Sequence, residues 1–132
     1  MSAGYGYLPN SPLAGSVTFQ RNGASALTVN KSYDFLNRLG AITNAAATTV
    51  ASAYAYNAAN QRTAVTNADG SRWAYGYDGL GQVTNGWRYW ADNSEVSGQV
   101  FNYAFDDIGN RKSASSGSSG ALRACRLTPP IS

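Results

Sequence analysis

Four copies of a seven-residue motif decide how this sequence folds: YDFLNRL at 33–39, YNAANQR at 56–62, YDGLGQV at 77–83 and FDDIGNR at 105–111. Each copy reads aromatic, Asp or Asn, two variable residues, Gly or Asn, and then a polar residue. The first positions lie 23, 21 and 28 residues apart, which is about one hairpin per unit. A repeat of this length predicts a chain of hairpins in series.

The residue types at the motif positions predict turns. The aromatic residue ends an incoming strand, the Asp or Asn beside it can accept backbone N–H groups two residues on, and Gly or Asn at the fifth position tolerates positive φ. An Arg often follows and begins the outgoing strand. We therefore assign these positions a structural role rather than a catalytic one: Tyr33, Asp34, Asn37, Arg38, Tyr56, Asn57, Asn60, Arg62, Tyr77, Asp78, Gly81, Phe105, Asp106, Gly109 and Arg111.

Alternating aromatics predict strands between these turns. Trp73, Tyr75 and Tyr77 occupy alternate positions, as do Phe101, Tyr103 and Phe105, and a period of two places each set on one face of a strand. Turn signals separate the strands at Asn22-Gly23, Asp69-Gly70 and Asp92-Asn93-Ser94. The predicted hairpins pair 16–21 with 24–30, 62–66 with 71–77, and 82–90 with 98–105.

The composition excludes several classes of function. The 132 residues include 21 alanines and 16 aromatics but no histidine and one cysteine, Cys125, so the commonest general base and a disulfide are both absent. The net charge is +3, yet the basic residues are spread along the chain rather than clustered, which argues against specific nucleic-acid binding. No signal peptide and no membrane-spanning apolar stretch is visible, and no cofactor or metal site is predicted.

The C-terminal end differs in composition from the rest. Residues 113–120 read SASSGSSG, which is typical of a flexible linker, and Pro129-Pro130 disfavours regular structure beyond it. We therefore predict a repeat segment over residues 1–112 and a low-complexity linker with a disordered tail over residues 113–132.

The motifs YDFLNRL, YDGLGQV and FDDIGNR resemble the tyrosine-aspartate (YD) repeat of RHS (rearrangement hotspot) proteins, which insecticidal toxin-complex components, bacterial surface proteins and teneurins share. The resemblance covers about residues 5–112, and GYGYLPN at 4–10 reads as a degenerate earlier unit. It implies an all-β fold of antiparallel hairpins forming part of a curved, spiralling sheet. In some members this sheet encloses a toxic C-terminal domain, and other members are surface proteins thought to bind carbohydrate or partner proteins.

The family's C-terminal core region and toxin domain have no counterpart here, so we expect a fragment of a longer repeat protein. The leading hypothesis is a non-catalytic structural segment from a secreted or cell-surface protein, whose partners are neighbouring repeats or an enclosed toxin domain. The alternative is a carbohydrate- or partner-binding module that uses exposed aromatics, namely Trp73, Trp87, Tyr89 and Trp90. Enzymatic activity is the least favoured, because the adjacent carboxylates Asp106 and Asp107 should point in different directions.

Overall fold

The computed structural model describes residues 1–117 and 123–126, and every regular element in them is a β-strand. The chain divides into two compact units, one over Met1–Ala55 and one that begins at Tyr56. The first unit contains β1 Ser2–Tyr7, β2 Ala14–Arg21, β3 Ala24–Tyr33, β4 Leu39–Ala45 and β5 Val50–Tyr56, which ends where the second unit begins. The second contains β6 Arg62–Asn67, β7 Arg72–Tyr77, β8 Val83–Tyr89, β9 Glu95–Phe105, β10 Arg111–Gly117 and β11 Arg123–Arg126.

Within each unit, consecutive strands pair antiparallel in chain order. The predicted all-β fold of antiparallel hairpins is thereby confirmed. Such pairing needs no long crossover, because each turn returns the chain beside the strand it has just left.

The three predicted hairpins are present with small changes at their boundaries. Asn22 and Gly23 both have positive φ, 54° and 79°, as a two-residue turn of this kind requires. The third hairpin differs most, because β9 begins at Glu95 rather than Gly98. Gly98 has a φ of 79° inside the strand, and the register slips between Trp87 and Tyr89 of the neighbouring strand. An irregularity in β9 thus lies where the sequence predicts its start.

The core is thin. Among the described residues, the buried hydrophobic side chains are Val96 and Val100, and Ser71 is the one buried polar residue. Most aromatic side chains lie half-buried on the faces of the strands. This agrees with a composition that is rich in alanine and aromatics and poor in large aliphatics.

The C-terminal region differs from the prediction. β10 continues through Ser113–Gly117, so the predicted linker begins too early, and the backbone of Arg123–Arg126 pairs with it as β11. Serine-rich composition suggests flexibility, but a neighbouring strand such as β9 supplies backbone partners whatever the side chains are. Residues 118–122 and 127–132 of the predicted tail lie outside the described residues.

Candidate functional site: the repeat turns

The four motif turns share one backbone geometry. In each, the amide of the Asp or Asn donates to the carbonyl oxygen four residues on, and the amide three residues on donates back to the Asp or Asn carbonyl, with N···O distances of 2.9–3.1 Å. The residue three positions after the Asp or Asn has a φ between 60° and 90°; these residues are Asn37, Asn60, Gly81 and Gly109. This is the three-residue hairpin loop in which a type I turn ends in a left-handed residue.

The second motif side chain closes each turn from the inside. The Oδ1 atom of Asp34, Asn57, Asp78 or Asp106 accepts two backbone N–H groups, two and four residues on, at 2.7–3.1 Å. Asp and Asn both fit, because Oδ1 is an acceptor in either residue. One oxygen atom therefore satisfies two amides that the ladder leaves unpaired.

The remaining polar atom of the side chain contacts the residue four positions on, in three of the four turns. Arg38 Nε donates to Asp34 Oδ2 at 2.7 Å, Asn110 Nδ2 donates to Asp106 Oδ2 at 3.0 Å, and Asn57 Nδ2 donates to Gln61 Oε1 at 2.7 Å. In the third turn, Gln82 Oε1 is buried and accepts no hydrogen bond from any described residue.

These hydrogen bonds favour the ionised form of two motif carboxylates, Asp34 and Asp106. The side-chain and backbone hydrogen bonds from Asn110 lower the pKa of Asp106. At Asp34 desolvation raises the pKa, but the hydrogen bonds from Arg38 and Leu36 outweigh it, so the net pKa lies below the ordinary value. A carboxylate that is stabilised as an anion and is already bonded to backbone amides is poorly suited to act as a general acid or base near neutral pH.

In the first and third motif turns, the tyrosine ties the turn to the preceding strand. The Tyr33 hydroxyl donates to the carbonyl oxygen of Ala14 at 3.0 Å, and the Tyr77 hydroxyl donates to that of Arg62 at 2.6 Å. Ala14 and Arg62 are the first residues of β2 and β6, the strands beside β3 and β7. If the observed registers are continued, Ala14 lies opposite Ser32 and Arg62 lies opposite Gly76, the residues that precede the two tyrosines. Phe105 has no hydroxyl and so lacks this bond.

A β-bulge follows the turns at a constant position. Tyr33 pairs with Leu39 and Ser32 with Ala41, so Gly40 is left out of the register. Thr84 and Lys112 are left out in the same way, seven residues after Tyr77 and Phe105.

Two predicted motif residues, Arg62 and Arg111, lie at the starts of outgoing strands. Arg62 begins β6, and its guanidinium lies 6.0 Å from the Tyr56 ring centroid. Arg111 begins β10 and pairs with Phe105.

A second class of turn joins the other ends of the strands in the second unit. Asn67–Ser71 and Trp90–Ser94 have the same backbone bonds as the motif turns, with positive φ at Gly70 and Asn93. Here the acid is the third residue. Asp69 Oδ1 accepts the amide and hydroxyl of Ser71, at 2.9 and 2.6 Å, and Asp92 does the same for Ser94. The repeated pattern Ala-Asp-(Gly/Asn)-Ser could have revealed this class in the sequence.

The outgoing strands carry another signal that the motif alone does not show. β2, β4 and β6 contain a small residue, then Val or Ile, then Thr: Ser16-Val17-Thr18, Ala41-Ile42-Thr43 and Ala64-Val65-Thr66. Each tripeptide begins two residues after the start of its strand. The repeat therefore extends beyond the seven-residue motif into the strand.

The structure separates the four predicted ligand-facing aromatics into different groups. The Trp73 ring lies nearly parallel to those of Tyr75 and Phe101, at centroid distances of 6.4 and 6.1 Å. Trp87 pairs opposite Ala74, which alternates with Trp73 and Tyr75 and so lies on the other face. Trp87 approaches Tyr89 at 6.5 Å, and its indole N–H donates to Asn102 Oδ1 at 3.0 Å.

Trp90 follows β8 and is 48% exposed, with the Arg88 guanidinium 5.8 Å from its ring centroid. The four aromatics therefore do not form one surface. A shallow pocket of about 310 Å³ lies beside Trp73 and Tyr75 and is lined also by Phe101 and Tyr103.

The described part of the chain contains no cluster of three or more His, Cys, Asp or Glu residues that could hold a metal ion. Within the same residues, no helix has the length and apolar character needed to cross a membrane. The adjacent carboxylates diverge in role, since Asp106 closes a turn whereas Asp107 is exposed at its tip.

Comparison with known families bears on this geometry. The model of the family described as RHS Repeat matches residues 56–85. Residues 56–85 therefore carry an RHS repeat. The matched RHS segment begins at the motif residue Tyr56, includes the next motif turn at Tyr77 and ends within β8. No curated protein matches the chain significantly.

Proposed function

We propose that this RHS-repeat chain is a non-catalytic structural segment of the shell of a secreted or cell-surface protein, with neighbouring repeats or an enclosed toxin domain as its partners. The recurrence of the motif turn carries the proposal. Four turns, at Asp34, Asn57, Asp78 and Asp106, use the same oxygen atom for the same two backbone bonds. Side chains committed to backbone bonds in every copy serve construction rather than substrate binding.

The equivalence of Asp and Asn supports the same function. Asn57 occupies the acid position in the second turn and makes the same two Oδ1 bonds at 3.0 Å. A carboxylate that acts as an acid, base or nucleophile cannot be replaced by a neutral amide, whereas a turn-forming acceptor can.

A panel of chromogenic glycoside, ester and peptide substrates tests the absence of catalysis. We expect turnover by the full chain to equal that of a heat-denatured sample. Asp107→Asn is the informative variant, because Asp107 is exposed and accepts no hydrogen bond from any described residue, so its replacement should leave the fold unchanged. Turnover by the chain that this variant abolishes would contradict the proposal.

The proposed location has its own test in the organism that produces the chain. Protease treatment of intact cells, followed by immunoblotting, should remove the chain if it lies at the surface, and culture supernatant should contain it if it is secreted. Full protection in intact cells together with an empty supernatant would contradict an extracellular location.

A second candidate function is carbohydrate binding on the face that carries Trp73, Tyr75 and Phe101. Their rings are half-buried, and the Trp73 plane lies within 4° of Tyr75 and 17° of Phe101. Flat, adjoining aromatic faces offer apolar area with little side-chain entropy to lose. Glycan-array binding that Trp73→Ala removes would favour this function.

Trp90→Ala provides the second arm of that test, because Trp90 is the most exposed of the four aromatics. Binding lost in Trp90→Ala but kept in Trp73→Ala would move the site to the end of β8. If the folded chain binds no glycan on the array, this candidate function is contradicted.

A further inference from the structure

Acidic and basic residues occupy different parts of this fold. Of the seven acidic residues in the sequence, Glu95 is the one that lies in a described strand, and the others lie in turns. Of the ten basic residues, Arg38 is the one that lies outside the described strands. Turn residues such as Asp69 and Asp78 accept hydrogen bonds from backbone amides of their own turns, so turn formation places the negative charge outside the strands. The strands therefore carry an excess of positive charge.

One side of the second unit gathers aromatic rings. Tyr75 pairs with Gly86, and Gly86 pairs with Phe101, so these three residues lie on the same side of the sheet. Trp73 and Tyr103 lie two residues away along their strands and share that side. We call the surface formed by Trp73, Tyr75, Phe101 and Tyr103 the aromatic face. The hollow of about 310 Å³ between these rings is lined also by Gly86, which has no side chain to fill it.

Two arginines lie beside these rings. Arg88 pairs directly with Trp73 and so shares its side of the sheet. Arg62 lines a second hollow, of about 450 Å³, together with Tyr75. The two hollows adjoin, because Tyr75 and Val83 line both of them. The aromatic face therefore has the guanidinium groups of Arg62 and Arg88 on its own side of the sheet.

The neighbouring strands add an arginine and no acid to this side. Arg111 pairs with Phe105, which continues the alternation of β9 and so lies on the side of the aromatic face. Glu95, the one acid in a strand, pairs with Tyr89. Because Tyr89 directly follows Arg88 along β8, Tyr89 and Glu95 lie on the opposite side. Within the described strands of the second unit, the side that carries the aromatic face therefore holds arginines but no carboxylate.

Flat rings beside guanidinium groups match the two parts of a single-stranded nucleic acid. The Trp73 ring lies nearly parallel to the rings of Tyr75 and Phe101, at centroid distances of 6.4 and 6.1 Å, so unpaired bases can stack on adjoining rings. Arg62 and Arg111 are exposed and can bind phosphate groups. The side chains that line the smaller hollow include no amide and no carboxylate, so the face has few groups with which to distinguish one base from another.

We propose that the aromatic face binds single-stranded DNA or RNA without sequence preference, with bases stacked on Trp73, Tyr75 and Phe101 and phosphates bound by Arg62 and Arg111. The basic residues form no run in the sequence, but antiparallel strands bring residues from distant parts of the sequence onto one side of a sheet. This binding goes beyond the proposed structural function, and either can hold without the other.

Anisotropy titration of fluorescent oligothymidylate and oligouridylate with the full chain tests this proposal. Oligonucleotides of about 12 nucleotides lie within the site sizes of proteins that bind single strands in this way. We expect saturable binding of both oligonucleotides, which weakens steeply as the salt concentration rises. A DNA duplex of the same length should bind much more weakly, because the faces of paired bases are covered by their neighbours.

Substitutions on the two sides of the sheet locate the binding surface. Tyr75→Leu keeps apolar bulk but removes a flat ring, and it should weaken binding about fivefold or more, the lower end of the range for one base stacked on an aromatic side chain. Tyr89→Leu is the matched control on the opposite side and should bind unchanged. Trp73→Ala should weaken binding further, provided that its circular dichroism spectrum remains that of the folded chain.

A second pair of variants tests the phosphate contacts. Arg62→Gln and Arg72→Gln each remove one positive charge, but Arg72 pairs with Tyr89 and so lies on the opposite side from the aromatic face. Arg62→Gln should weaken binding to both oligonucleotides alike and reduce the slope of log affinity against log salt by about one. Arg72→Gln should leave that slope nearly unchanged.

Several outcomes would overturn the proposal. One is failure of the folded chain to bind either oligonucleotide, and another is equal affinity for the duplex. Equal losses in Tyr75→Leu and Tyr89→Leu would show that the aromatic face is not the site. Heparin provides the last arm: if it binds more tightly than the oligonucleotides and Tyr75→Leu leaves its affinity unchanged, the partner is an acidic polysaccharide. None of these outcomes affects the proposed structural function, which fails only if the motif turns prove dispensable or catalytic.

Discussion

The two classes of turn in the second unit have one backbone geometry but place the acid differently. In the motif turns Asp78 and Asp106 are the first residue, and the side chain reaches forward to amides two and four residues on. In Asn67–Ser71 and Trp90–Ser94 the acid is the third residue and holds a serine. Both classes need Gly or Asn at the fourth position for positive φ. The backbone therefore restricts the residue type at the fourth position, whereas the acid can occupy either the first or the third position of the turn.

The two classes also differ in how their neighbours constrain them. The turn at Gly70 lies against the turn that contains Ala91, since a Cβ atom added at Gly70 would be 2.8 Å from the Ala91 Cβ. Ser71 beside it is 1% exposed. In contrast, Leu80 and Ile108 at the tips of the motif turns are exposed. Substitutions should therefore cost most where turns pack against each other.

Gly70→Ala should have the largest effect. Gly70 has a φ of 80° and no room for a Cβ, so both backbone strain and a clash oppose the alanine. We expect a loss of about 2–3 kcal/mol in the free energy of unfolding, measured by urea denaturation. Gly98→Ala is the matched control, because Gly98 has a φ of 79° and nothing within 4 Å of its added Cβ. It should lose about 1 kcal/mol from strain alone. Equal losses would show that the two turns do not pack.

Ser71→Ala should have the next largest effect. The Ser71 hydroxyl donates to Asp69 Oδ1 at 2.6 Å and accepts a hydrogen bond from Asn67 Nδ2 at 3.1 Å, so its replacement removes two hydrogen bonds made by a buried hydroxyl. We expect a loss of about 1–2 kcal/mol by urea denaturation. Ser94→Ala removes the equivalent hydroxyl from an exposed turn, so its free energy of unfolding should fall by only a few tenths of a kcal/mol. A larger loss at Ser94 would reverse the comparison.

Phe105→Tyr should stabilise the chain slightly. The register of β8 and β9 pairs Asn85 with Asn102, and continuing it places the Val83 carbonyl where Ala14 and Arg62 lie for Tyr33 and Tyr77. The new hydroxyl should gain about 0.5–1 kcal/mol, the net value of one hydrogen bond. Tyr77→Phe should lose a similar amount. A destabilising Phe105→Tyr would show that the tyrosine bond is not a general property of the repeat.

Acid should weaken the turns through their lowered pKa values. Hydrogen bonds from Ser71 lower the pKa of Asp69, and those from Ser94 lower the pKa of Asp92. Hydrogen bonds from Asn110 likewise lower the pKa of Asp106. Because each folded pKa lies below the unfolded value of 3.8, the stability these groups contribute is present above that pH and is lost as the pH falls through the folded pKa.

Thermal melts at a series of pH values below about 5 measure this loss. Asp106→Asn keeps the Oδ1 acceptor, as Asn57 does, but cannot titrate in this range, so its melting temperature should fall less steeply with acid than that of the unaltered chain. An identical acid profile for the variant would show that Asp106 does not contribute.

The sequence predicts the strands and motif turns well because their signals are local. Alternating aromatics, Asn-Gly and Asp-Gly act within a few residues, and hairpins pair neighbours in the chain. The bulges at Gly40, Thr84 and Lys112 were not predicted, because they depend on the register between two strands. The separation of Trp73 from Trp87 likewise depends on which face of the paired strands each residue occupies. The composition of Ser113–Gly117 predicts a flexible linker, whereas the segment forms a strand because its backbone pairs with β9.

Amide hydrogen exchange by NMR tests most directly the claim that the motif acid builds its own turn. The backbone amides four residues after the motif Asp or Asn belong to Arg38, Gln61, Gln82 and Asn110. We expect all four to be protected, and Asp78→Ala to remove protection at Gln82 while leaving Asn110 protected. Asp78→Asn should restore it. Protection at Gln82 that persists in Asp78→Ala would contradict the account.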